Sequence, residues 1–152
     1  MISDENPWYA IKDGDPRGRS MVDRHYSAIA SIKGRKSRLF IGPGEKMVLM
    51  TNDSRALFGW VRMLVERADK QEGVNCTVFR NEGDMLSSWL ITMASEYAWT
   101  RWPNQRLFTY VNPKKVDSVN PGFCFKKAGW TTAGKSKKSG LVLLERQSSW
   151  PV

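Results

Sequence analysis

Two short stretches of the sequence carry residue types that can do chemistry. In "CTVFRNEGDMLSSWL" an apolar run ends in Arg80, Asn81, Glu82 and Gly83, and a second apolar pattern begins after Asp84. A strand that feeds a helix through a glycine-containing turn leaves backbone N–H groups free at the helix start, and such groups bind anions. Arg80 can clamp a phosphate or carboxylate with its planar fork. Glu82 can orient a base or hold a cation, and the two can equally form a salt bridge across the turn. Asp84 has the chemistry of a helix N-cap, and for Ser87 and Ser88 hydroxyl capping competes with ligand binding. In "DRHYS", His25 is the only histidine of the chain. Its imidazole can take a proton near neutral pH, bind a metal, or sit as a satisfied structural group. Tyr26 beside it can donate a proton, position a substrate, stack on a base, or pack.

Elements of regular structure must hold these residues in place. "KMVLMT", "ALFGWVRML", "NCTVF", "RLFTYV" and "GLVLLER" are short apolar or alternating runs bounded by Gly, Asn, Asp or Pro, and predict five strands. Between the third and fourth, Leu86, Leu90, Met93 and Tyr97 fall on one helical face, with Ser88, Thr92 and Ser95 elsewhere and Pro103 as the stop. "NPGFCFKKAGW" predicts a shorter helix, with Pro121 at its start and Gly129 just past its end. Strands bracketing helices predict a mixed α/β sheet with the "VFRNEG" turn at its open edge. Residues 1–20, rich in Asp, Gly, Pro and Arg, are expected as a loosely held arm, and 21–152 as one domain.

The chain of 152 residues is long enough to bury a core unaided. Its 24 Lys and Arg against 15 Asp and Glu give +9, which favours a polyanionic partner over an acidic small molecule. The densest early basic run is Lys33, Arg35, Lys36 and Arg38. A later one, Lys126, Lys127, Lys135, Lys137 and Lys138, flanks "TTAGKSKKSG". With no aromatic in that loop, it suits phosphate contact rather than base reading. Seven tryptophans invite a stacking role. Trp60, Trp89 and Trp99 lie inside periodic elements and are expected to pack, which leaves Trp8 and Trp102 as candidates. Cys76 and Cys124 have no metal-like spacing and read as reduced thiols. The opening "MISDENPWYA" lacks the apolar run of a signal peptide, and no stretch approaches membrane-spanning length, so a cytoplasmic protein is expected.

The strand ending "VF", the turn Arg80–Gly83, a helix, "FTYVNP", "NPGFCFKKAGW" and a last strand together resemble the GNAT N-acetyltransferase superfamily. Its fold is a mixed, largely antiparallel sheet flanked by helices, and its corresponding turn cradles the coenzyme A pyrophosphate. Arg80 and Gly83 match that turn, whereas Met85 stands where the family has Gly or Ala. Phe125, Gly129 and Trp130 match a later motif, with Phe125 where a tyrosine acid is common. "DRHYS", "FRNEG" followed by "SS", "VNP" and "PGFCFKKAGW" are more narrowly similar to short phage-encoded relatives of the Mom DNA modification proteins. In place of an acid at the end of the fifth strand the chain has Asn112.

The Mom resemblance implies a transferase that converts the N6 amine of adenine in double-stranded DNA to its carbamoylmethyl form. Such a protein shields phage DNA from restriction inside the bacterial host. His25, Tyr26 and Glu82 are then the catalytic candidates. Arg80, Asn81, Gly83, Ser87 and Ser88 would bind a small-molecule donor, and the two lysine- and arginine-rich runs would contact DNA. As cofactors the resemblance leaves acetyl-coenzyme A and iron open. Two other functions fit the same residues: a coenzyme A-dependent acetyltransferase acting on a small amine or protein, and a non-catalytic DNA-binding protein.

Overall fold

The computed structural model describes residues 4–24, 39–113, 122–136 and 140–148. These form a seven-stranded sheet in the order β1-β2-β3-β4-β5-β7-β6. The strands are β1 (Trp8–Ile11), β2 (Glu45–Thr51), β3 (Ala56–Arg62), β4 (Val74–Asn81), β5 (Leu107–Val111), β6 (Thr131–Lys135) and β7 (Val142–Arg146). Every pairing is antiparallel except β4 with β5. Three helices accompany them: α1 (Pro16–Arg24), α2 (Ser87–Arg101) and α3 (Phe123–Lys127). The fold is therefore mixed α/β with a mostly antiparallel sheet.

The central strands read as near-continuous apolar runs because both faces of the sheet are covered. On one face Leu49, Phe58, Trp60, Val74 and Cys76 pack under α2 and α3, together with Leu90, Ile91, Ala94, Ala98 and Phe125. On the other, Val48, Met50, Leu57, Val61 and Val78 pack against Met21 and Val22 of α1 and against Ile41. The five expected strands are present. The short helix also ends as expected, with Gly129 at φ +93°, a left-handed conformation that suits glycine after a helix C-terminus.

Two expectations fail, and one strand goes beyond them. The start of the chain is not a loose arm. Trp8, 3% exposed, anchors β1 to the core and donates its indole N–H to the Leu90 carbonyl at 2.8 Å. Asp15 accepts the Arg17 N–H at 3.0 Å and Pro16 opens α1, so a cap and a proline at the first helical position start a helix inside the expected arm. The buried face of α2 is Leu90, Ile91, Ala94, Ser95 and Ala98, rotated from the one expected. Small residues let the helix lie close to Trp60, whose indole donates to the Ala94 carbonyl at 3.0 Å. Met93 and Tyr97 are only partly buried, and Leu86 is exposed. β6 was not foreseen at all.

Candidate functional site

β4 and β5 pair only from Val74 opposite Leu107 to Cys76 opposite Thr109. At that last pair the Thr109 hydroxyl donates to the Cys76 carbonyl at 2.9 Å, closing the apex. Beyond it the two strands no longer pair with each other, and among the described residues β4 runs on to Asn81 with a partner strand on its β3 side alone. A bulge falls at the same point. Gly59 faces Val78 while Trp60 faces Cys76, so Thr77 is the extra residue. The extra residue inverts the side-chain alternation. Phe79 thus joins Val74 and Cys76 on the α2 face, and Arg80, opposite Leu57, stands on the α1 face. The two strands part in a wedge, and beside it lie the β4 backbone beyond Cys76, the 80–86 turn and the start of α2.

That start is uncapped. Leu86 occupies the N-cap position without a side-chain bond, so the N–H groups of Ser87, Ser88 and Trp89 have no acceptor within the helix. The turn before it is held from two directions. Asn81 donates to the Met85 carbonyl at 2.8 Å and to the Ser87 hydroxyl oxygen at 2.9 Å, and accepts the Gly83 N–H at 3.0 Å. From the residue just before β3, Arg55 donates to the Glu82 carbonyl at 2.8 Å while its own carbonyl accepts the Glu82 N–H at 2.7 Å.

These contacts sort the expected donor-binding residues. Asn81 spends its whole amide on the turn, so its role is to shape the loop rather than to touch a ligand. Arg80 and Glu82 form the salt bridge at 3.0 Å, with both side chains partly exposed. A pair of this kind is worth at most about 1 kcal/mol, so a ligand's charge can displace it cheaply. Ser88 makes no side-chain hydrogen bond among the described residues and sits in the uncapped first turn. Asp84 is not the N-cap: its side chain is exposed and lies 3.7 Å from Arg55. Met85 packs against the core under α2.

The tryptophan candidates are also corrected. Trp8 and Trp102 are both buried, at 3% and 5% exposure, and cannot stack on a base. Phe125 is buried edge-on to Phe79 and Trp130, with centroids 6.1 and 4.9 Å away. Burial pushes the Cys76 thiol up to about 12, which removes it as a nucleophile at the apex. The sequence reading missed Tyr110, the first β5 residue past the last β4 pair, on the face opposite Thr109. Its hydroxyl donates to Asp69 at 3.0 Å. Burial and the Asp69 carboxylate raise its pKa. The alternation in "LFTYV" placed Tyr110 on a strand, but nothing local marked where β5 would leave β4.

His25, Tyr26, Lys33, Arg35, Lys36, Arg38, Lys137 and Lys138 lie outside the described residues. Of the other lysines, Lys127 is exposed at the end of α3, its ammonium 5.6 Å from the Phe123 ring centroid, and Lys135 is exposed on β6. Among the described residues no three His, Cys, Asp or Glu side chains are grouped to hold a metal, and no helix is long and apolar enough to cross a membrane. Compared with protein-family models and with curated proteins, the chain matches none.

Proposed function

We propose that the protein is a transferase of the GNAT type that modifies the N6 amine of adenine in DNA, with the base turned out of the duplex into the wedge. The observation that carries this reading is the parting of β4 and β5 beneath the uncapped start of α2, where β4 also bulges. Among the described residues, the β4 backbone beyond Cys76 lacks a strand on its β5 side and the first N–H groups of α2 lack intrahelical acceptors, a ready cradle for an extended, anionic donor. The single parallel pair, with α2 joining its strands, agrees with the element order that the resemblance implies. The net charge of +9 supports a DNA substrate.

In this mechanism Arg80 exchanges Glu82 for the donor's charge, and Tyr26 positions the extruded base. The N6 nitrogen attacks the donor carbon, the leaving group departs with its bonding pair, and His25 takes the proton that N6 sheds. Losing such a base costs about 10² to 10⁴ in rate. The test is to express the protein with a plasmid in bacteria, digest the plasmid to nucleosides and weigh them by mass spectrometry. A deoxyadenosine heavier by a carbamoylmethyl group, lost in His25→Ala, is expected. Unmodified deoxyadenosine both from well-expressed wild type and from phage-infected cells refutes the proposal.

A second reading is favoured by the same unpaired β4 edge, because the pantetheine arm of coenzyme A carries amides that can match it as an added strand. In that case acetyl-coenzyme A raises the melting temperature, by an amount that corresponds to roughly 2.7 kcal/mol at a hundredfold its Kd. No shift is expected if the donor is a different molecule.

A further inference from the structure

The far edge of the sheet carries chemistry that the wedge does not use. All five residues of β6, Thr131–Lys135, are exposed. β6 is the last strand of the sheet, so its outer N–H and C=O groups have no neighbouring strand among the described residues. Every other strand buries at least one residue. The side chains are small or polar, Thr-Thr-Ala-Gly-Lys, and open space surrounds the position where a Cβ on Gly134 would lie. An edge built to receive a protein strand presents large apolar side chains for the partner to bury, and this one presents only the Ala133 methyl among polar groups.

What it presents instead is charge. From Ser118 to Leu144 the chain has five lysines and no acid. Among these, Lys126 and Lys127 close α3, the element that leads directly into β6, and Lys135 ends the strand. Backbone N–H groups, threonine hydroxyls and lysines are the groups that hold nucleic-acid phosphates without reading sequence.

We infer that the outer edge of β6, continued by the end of α3, is a docking rail for the phosphate backbone of duplex DNA. The inference rests on the DNA part of the proposed function and adds where the duplex lies. Only β7 separates β6 from β5, two strand spacings or about 10 Å. A duplex on the rail therefore runs alongside the wedge, within reach for an extruded base.

The experiment measures binding of the full chain to duplex DNA by fluorescence anisotropy across a salt series, with circular dichroism to confirm folding. Lys135→Glu is expected to weaken binding about tenfold at ~0.1 M salt and to flatten the log–log salt slope by about 1. Thr132→Glu, which sets a carboxylate against the phosphates, is expected to weaken it as well. Lys70→Glu removes the same charge from the exposed β3–β4 loop, and is expected to leave affinity within about twofold. Equal losses for Lys70→Glu and Lys135→Glu would mean that only the overall field matters, and would overturn the rail. So would unchanged binding in Thr132→Glu, or a wild-type dimer in sedimentation that Thr132→Glu dissociates, which would give the edge to a second copy. Modification of adenine with normal binding in both β6 variants would sink the rail alone. Binding that depends on β6 without any modified base would sink the proposed chemistry alone.

Discussion

Replacing Asn81 tests whether the turn is shaped as described. Its side chain makes three hydrogen bonds inside one turn: to the Met85 carbonyl, to the Ser87 hydroxyl oxygen and from the Gly83 N–H. At about 1 kcal/mol net for each, Asn81→Ala should cost roughly 3 kcal/mol. The turn is only partly buried, so water can replace some of these partners, and an expected loss of about 2 kcal/mol is closer. With a urea m value of about 1–3 kcal/mol/M, the unfolding midpoint should fall by about 1 M with the slope unchanged. Asn81→Asp is the sharper variant. It keeps an acceptor for the Gly83 N–H but turns an oxygen toward the Met85 carbonyl, so it should lose as much as the alanine. A loss below about 0.5 kcal/mol in Asn81→Ala would place the residue with ordinary surface positions. Wild-type stability in Asn81→Asp would show that the amide does not donate to Met85. Either result refutes the clamp and restores Asn81 as a candidate ligand contact.

Gly73 precedes β4 at φ +120°, and a Cβ there would collide with the Arg106 carbonyl that accepts the Val74 N–H. Gly73→Ala should cost about 3 kcal/mol or more, a fall in Tm of roughly 6–12 °C for a chain of this size, and a calorimetric shift under 2 °C would refute the clash. Burial holds the pKa of the folded Cys76 thiol at about 12, above the 9.0 of a free thiol. Its contribution to stability is therefore complete below pH ~9 and is lost as pH rises toward 12. At pH 8 a thiol reagent should label half-buried Cys124 long before Cys76, and equal labelling rates would refute the buried apex.

Apolar runs together with their Gly, Asn, Asp and Pro boundaries located the five strands that build the sheet's interior and the two helices that follow the wedge, because burial on both faces of a strand leaves continuous apolar runs such as "ALFGWV". The Arg80–Glu82 salt bridge across the turn was legible as well, from two opposite charges where packing would favour apolar residues. The start of α1 was missed: the Asp15-Pro16 pair marks it, but the surrounding polar composition read as a loose arm. β1 and β6 were not legible. Trp8 is buried by Leu90, 82 positions along the chain, and "TTAGK" has no periodicity because it forms a strand only by pairing with β7. The face of α2 was decided by the bulk of Trp60 across the interface, which selects Ala94 and Ala98 over the larger Met93 and Tyr97. The wedge itself depends on a bulge at Thr77 and a ladder that ends at Thr109. Both are register relations between distant strands, and a register is a property of two segments that neither segment carries alone.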